Sequence, residues 1–157
     1  MALQIGDIAP EFTLYDSGKQ KVSLVDFQGK TVVILFYPFA FSSVCTAELC
    51  DMRDNLGMYN SLNSEILAIS VDSVYTLAKF KDDQQLNFTL LSDFNREVSS
   101  KYGALYDIFP ALEMRGVSKR AAFVIDKSGV IRFAQVNEKP QDLPDLSSIR
   151  QVLAAEN

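Results

Sequence analysis

The period of apolar and polar positions changes several times along the chain, and each change marks an element. Thr31 to Tyr37 (TVVILFY) is an almost unbroken β-branched and aromatic run. Such a run predicts a strand at the centre of a sheet, covered on both faces. Glu65 to Val71 (EILAISV) predicts a second buried strand and Phe88 to Leu91 a short third. Helical spacing of Leu49, Met52, Leu56 and Tyr59 predicts a helix over Val44 to Ser61. Ser73 to Gln84 predicts another, with Asp72 or Ser73 as its N-cap, and Phe94 to Lys101 a third, stopped by Gly103. Glu11 to Leu14 and Lys21 to Leu24 flank the turn signal Asp16-Ser17-Gly18-Lys19, while Ala121 to Ile125 and Val130 to Val136 flank Asp126-Lys127-Ser128-Gly129. Both arrangements predict hairpins. A last helix is expected over Leu146 to Ala155.

The resulting order is hairpin, β, α, β, α, β, α, β-hairpin, α. It predicts an α/β sandwich with a central mixed sheet flanked by helices. The thioredoxin-like fold has this order, although periodicity alone does not separate it from other α/β sandwiches. With 157 residues, no repeat and no interior linker, a single domain over 1–157 is expected.

Composition narrows the function more than the fold. Apolar residues make up 48% and charged residues 22%, as in ordinary globular domains. The net charge is −5 and there is no basic block, which argues against nucleic acid or an anionic membrane as partner. The first ten residues lack a signal-peptide pattern, and no run approaches the ~18 apolar residues of a membrane span. A cytoplasmic location is expected, where two cysteines point to redox chemistry more than to a permanent disulfide. The chain has no histidine, which removes Ser-His-Asp and Cys-His catalysis and histidine-based metal sites. No phosphate-cradling glycine motif is present, and no cofactor is expected.

One segment carries candidate chemistry: Tyr37-Pro38-Phe39-Ala40-Phe41-Ser42-Ser43-Val44-Cys45-Thr46-Ala47-Glu48-Leu49-Cys50. It joins the C-terminal end of a central strand to the start of a helix, the edge of an α/β sheet where sites are usually built. The free N–H groups and positive dipole end of the helix's first turn favour a thiolate at Cys45. Nucleophilic attack by sulfur needs that thiolate, and the same amides can stabilise a departing oxyanion. Taken singly, a buried cysteine is usually inert packing, Pro38 a strand terminator, Ser42 a helix cap and Arg120 a surface ion-pair partner. Glu48 alone suits a first helical turn. Their joint occurrence favours function.

Pro38, Ser42 and Cys45 fit P-x-x-x-[ST]-x-x-C, and on this motif the chain resembles the peroxiredoxins. Three further segments resemble the family in order: Gly6-Asp7-Ile8-Ala9-Pro10-Glu11-Phe12, the strand Val32 to Pro38, and Arg120-Ala121-Ala122-Phe123-Val124-Ile125-Asp126. Tyr102-Gly103 matches a smaller element. Thr46-Ala47-Glu48-Leu49 looks most like the PrxQ (bacterioferritin-comigratory) and AhpE subgroups of this AhpC/TSA superfamily. The resemblance implies a thioredoxin-like fold and a thiol-dependent peroxidase that reduces hydrogen peroxide and organic hydroperoxides. It implies Cys45 as the nucleophile that becomes a sulfenic acid, and Ser42, replacing the commoner threonine, as a hydroxyl bonded to thiolate and peroxide. Pro38 would shield the site, Arg120 would hold the peroxide and stabilise the thiolate, and Glu48 would orient Arg120. The implied reductant is thioredoxin, a glutaredoxin-like protein or another thiol, and the implied assembly is a monomer or weak homodimer. Phe39, Phe41, Phe109, Pro110 and Leu112 are candidates for the rim of the site or an interface, and equally for core.

Cys50 lies five residues after Cys45, the spacing of a resolving cysteine in many PrxQ-like proteins. On a helix, positions i and i+5 differ by about 140° and lie roughly 8.6 Å apart at Cα. A disulfide needs about 4.4–6.8 Å, so an intact helix cannot hold this bond and its first turns would have to unwind. The alternative is an AhpE-like enzyme recycled by an external thiol, with Cys50 structural. Two other readings stay open: a thiol–disulfide oxidoreductase, disfavoured by C-x-x-x-x-C in place of C-x-x-C, and a non-catalytic, redox-sensing binding protein on the same fold.

Overall fold

The computed structural model describes residues 2–156, so both end residues of the domain expected over 1–157 lie outside the described range. A seven-stranded sheet runs through it. Its strands are β1 (Thr13–Asp16), β2 (Lys21–Ser23), β3 (Thr31–Phe36), β4 (Ser64–Ser70), β5 (Thr89–Ser92), β6 (Arg120–Ile125) and β7 (Ile131–Asn137). The spatial order is β2-β1-β5-β4-β3-β6-β7. β3 is parallel to β4, and β4 to β5, whereas β6 runs antiparallel to β3 and β7 to β6. β1 pairs antiparallel with β5 and β2. This is the mixed sheet the sequence predicts.

The helices are α1 (Ser43–Asp54), α2 (Leu56–Ser61), α3 (Val74–Gln84), α4 (Glu97–Lys101) and α5 (Leu146–Ala155). All six β3 residues are buried, and alternation sorts them onto two faces. Val33, Leu35 and Tyr37 join Leu49, Met52, Tyr59, Phe80 and Ile149 in one core. Val32, Ile34 and Phe36 join Phe12, Val98, Tyr102 and Phe123 in the other. Ala122 and Val124 lie in the first core, so the same alternation puts Arg120 on the face that packs α1.

Several boundaries differ from the sequence reading for identifiable reasons. The helix expected over 44–61 is two helices. Asn55 interrupts it at φ −110°, ψ 12°, and its side-chain Nδ2 donates to the Asp51 carbonyl at 2.8 Å. Asparagine competes with the helical ladder in this way, and Gly57 follows it. The helix expected from Phe94 begins only at Glu97, because Arg96 takes a left-handed φ of 66° and the buried Asp93 carboxylate accepts from Val98 N and Ser99 N. Ser73, not Asp72, caps α3, accepting from Thr76 N. The first strand is Thr13–Asp16 rather than 11–14, set by its pairing with β5 as well as β2. Leu24 leaves β2 and opens a 3-10 turn over Leu24–Phe27. Val130 precedes β7 and instead forms an isolated bridge with Ile8.

Between α4 and β6 the chain makes an excursion that periodicity did not predict. Bridges Leu105↔Ser118 and Ile108↔Arg115 shape it as a loose hairpin, closed by Phe109 N donating to Met114 O at 2.7 Å. Leu112 and Glu113 turn its tip with φ of 62° and 53°. The side chain of Arg96 fixes its base, with Nε donating to Gly116 O at 2.7 Å.

Candidate active site

The loop after β3 and the start of β6 meet because the two strands are hydrogen-bonded neighbours, with Phe36 paired to Ala121. Pro38 ends the strand and is buried. Ser42 is the N-cap residue of α1, with extended φ −72°, ψ 150°. Cys45 follows in the first turn and is 1% exposed. The first amides of a helix have no acceptor within it, so the N-terminal amides of α1 are available beside this thiol.

Arg120 crosses from β6 to the thiol. Its Nη2 donates to Cys45 Sγ at 3.2 Å, its Nη1 to Glu48 Oε1 at 2.6 Å, and its Nε to the carbonyl of Pro140 at 2.8 Å. Three acceptors thus fix the planar guanidinium. Arg120 and Glu48 form an ion pair with both side chains 1% exposed. Burial opposes the charge on Arg120, but Glu48 and Cys45 outweigh it, so the arginine holds its proton more firmly than usual. The carboxyl of Glu48 goes the other way. Burial lifts it to about 7, against the attraction of Arg120. Glu48 Oε2 is buried without a hydrogen-bond partner.

A pocket of about 320 Å³ opens onto Cys45. Pro38, Ser42 and Arg120 line it together with Phe39, Phe109 and Met114. Leu112 also lines it and is 83% exposed, whereas Phe39 and Phe109 are half-buried and stack edge to face, 5.5 Å between centroids. Of the other apolar loop residues, Phe41 is exposed and leans on Phe80 at 5.0 Å, and Pro110 is exposed. Ser42 lies in the pocket wall, and its hydroxyl donates to Phe39 O at 2.9 Å. With the proton so engaged, the oxygen is left as an acceptor.

Cys45, Pro38, Ser42, Arg120 and Glu48 therefore come together at one place. Cys50 does not. It is half-buried further along α1, outside the pocket lining, with its thiol 3.5 Å from Gln84 Oε1. Both cysteines are free thiols. The sequence reading missed the Pro140 carbonyl, a main-chain group with no side-chain signal, and Met114, which sits in the unpredicted excursion.

Residues 5–134 match the model of the AhpC/TSA family. The chain is 38% identical over 130 residues to Peroxiredoxin Bcp of Escherichia coli, covering 82% of this chain and 83% of that protein. A Mycobacterium tuberculosis protein that carries the name peroxiredoxin is 42% identical over 138 residues, 85% of each chain. Among solved structures, Peroxidoxin BcpB from Mycobacterium tuberculosis superposes with a TM-score of 0.86 at 27% identity over 99% of both chains.

Proposed function

The chain belongs to the AhpC/TSA family and is a thiol-dependent peroxidase, and we propose that Cys45 is its attacking residue. The observation that carries this assignment is the guanidinium of Arg120 held 3.2 Å from Cys45 Sγ, inside a pocket large enough for a hydroperoxide. The Cys45 thiolate attacks the nearer peroxide oxygen as the O–O bond breaks. The products are Cys45 sulfenic acid and an alkoxide or hydroxide, which takes a proton to leave as alcohol or water. Arg120 and the first amides of α1 stabilise the charge that moves from sulfur to the leaving oxygen. Ser42 accepts the peroxide's O–H, Pro38 keeps water from the thiol, and Glu48 holds Arg120 in place.

Recycling follows in one of two ways. In the first, Cys50 attacks the sulfenic sulfur, water leaves, and an intramolecular disulfide forms that thioredoxin, a glutaredoxin-like protein or a similar dithiol reduces. This route requires the start of α1 to unwind, since the two cysteines lie five positions apart within it. In the second, an external thiol attacks the Cys45 sulfenic sulfur, water leaves and a mixed disulfide forms, which a further thiol reduces to free Cys45. The placement of Cys50 against Gln84, away from the pocket, favours this second route for the folded helix. We place the enzyme in the cytoplasm as a monomer or weak homodimer; among the described residues no helix is long and apolar enough to cross a membrane.

Intact mass after one equivalent of hydrogen peroxide tests the scheme. Loss of two hydrogens, abolished in Cys50→Ser, supports the disulfide route. A stable gain of one oxygen supports the external thiol. Undiminished peroxide consumption by Cys45→Ser would overturn the assignment of Cys45.

A further inference from the structure

The loop 38–42, which presents Pro38 and Ser42 to the pocket, is unusual in its backbone. Phe41 adopts φ 70°, a left-handed conformation unfavourable for a residue with a bulky side chain. Strain of this kind persists where the surroundings hold it in place. Three contacts surround this loop. Phe41 stacks on Phe80, Phe39 on Phe109, and the amide of Ala40 donates to Asp72 Oδ2 at 2.8 Å.

Asp72 is the least expected of these. It follows β4, the parallel neighbour of β3, so the loops after the two strands emerge side by side. It lies one residue before Ser73, the cap of α3, and takes no part in the capping. The Asp72 carboxylate turns to the neighbouring loop instead. Its Oδ2 takes both the Ala40 amide and the hydroxyl of Ser70, the latter at 2.7 Å. The Asp72 carbonyl in turn accepts from Ser92 Oγ at 2.6 Å, tying the residue to β5. Burial pushes the Asp72 carboxyl above its ordinary value, against the hydrogen bonds from Ala40 and Ser70. A half-buried carboxylate carries a desolvation cost that an apolar residue would avoid. What it supplies here is an acceptor for the one amide between Phe39 and the strained Phe41.

We propose that Asp72 is a positioning residue of the peroxidase site, a clamp that holds the loop 38–42 in the conformation that presents Ser42 and Cys45 to peroxide. The inference rests on the assignment of Cys45 as the attacking residue. Asp72 does not touch the thiol; it acts through Ala40. Removing it leaves the left-handed turn at Phe41 supported only by ring packing and by the Ser42 Oγ–Phe39 O hydrogen bond inside the loop, and the loop relaxes away from the pocket.

The test compares Asp72→Ala and Asp72→Asn with wild type in a single-turnover oxidation of Cys45, read by rapid quenching and alkylation. Local amide hydrogen exchange is measured on the same proteins. In Asp72→Ala the second-order rate constant falls about tenfold or more, as expected when reacting groups lose alignment. Exchange quickens across residues 40–45 and not in β3 or β6. Asp72→Asn keeps an amide oxygen for Ala40 N–H and stays within about threefold of wild type, having exchanged a charge-assisted bond for a neutral one. Ser70→Ala, which leaves the Ala40 contact in place, falls between the two. Equal rates in Asp72→Ala and wild type overturn the inference. So does a loss that Asp72→Asn fails to rescue, or exchange that quickens uniformly across the fold. If wild-type Cys45 itself does not react with peroxide, the peroxidase assignment fails, and the exchange measurement alone then decides whether Asp72 clamps the loop.

Discussion

Arg120 Nη2 stands 3.2 Å from Cys45 Sγ while the same guanidinium grips Glu48 at 2.6 Å, so one buried cation serves the thiol and a carboxylate at once. The pair is separated by 75 positions in the chain and joined by the pairing of β3 with β6.

Arg120→Lys tests what the planar fork contributes. A lysine supplies one compact charge and cannot span Cys45, Glu48 and the Pro140 carbonyl together. The second-order rate of Cys45 oxidation is expected to fall about a hundredfold, the scale of losing a preorganised donor to a developing charge. Rapid-quench kinetics with hydrogen peroxide measures it.

Glu48 gives stability a particular pH dependence. Its folded carboxyl is lifted from 4.5 to about 7, so the folded chain holds this proton where the unfolded chain has released it. That contribution is fully present below the unfolded value and is lost as pH rises through the folded one. Urea midpoints of wild type should therefore fall, relative to those of Glu48→Gln, as pH is raised from about 4.5 to about 7. Parallel curves for the two proteins would contradict this account.

Leu49 lies directly between the two cysteines' turns and is fully buried in the core shared by α1 and β3. Leu49→Ala should cost about 2–5 kcal/mol in chemical denaturation. Because unwinding α1 must draw this side chain out of the core or around it, the same variant should also form any Cys45–Cys50 disulfide faster than wild type. Alkylation time courses after peroxide treatment follow that second effect.

Gly116 lets Arg96 anchor the excursion that bears Phe109 and Met114. It has φ 69°, and a Cβ there would fall 2.3 Å from Arg96 Nε. Gly116→Ala combines a backbone penalty with displacement of the arginine, and should destabilise by at least about 1–2 kcal/mol. Its larger effect is expected on the pocket wall, seen as a changed ratio of rates for bulky and small hydroperoxides.

Long apolar runs made β3, β4 and β6 legible, because a strand buried on both faces leaves an unbroken signature. The residues gathered around Cys45 were legible through a spaced motif and a family resemblance. Periodicity places Arg120 at the start of a strand, but nothing local in the chain says which strand it will lie beside. Boundaries were lost where a side chain competes with the backbone, at Asn55 and Asp93. The excursion after Gly103 was missed because only isolated bridges and a few main-chain bonds shape it. Asp72 looked like half of a choice between two helix caps; its bond to Ala40 spans 32 positions and leaves no mark in either segment.

The placement of Arg120 on β6 also has a bearing on biosynthesis. During translation Cys45 emerges long before its guanidinium partner, and β6 must be complete and paired with β3 before the two can meet. A nascent chain ending before residue 120 carries the thiol without the cation. The guanidinium contact is thus acquired only once the chain has been made through β6, and a product that ends before residue 120 lacks it.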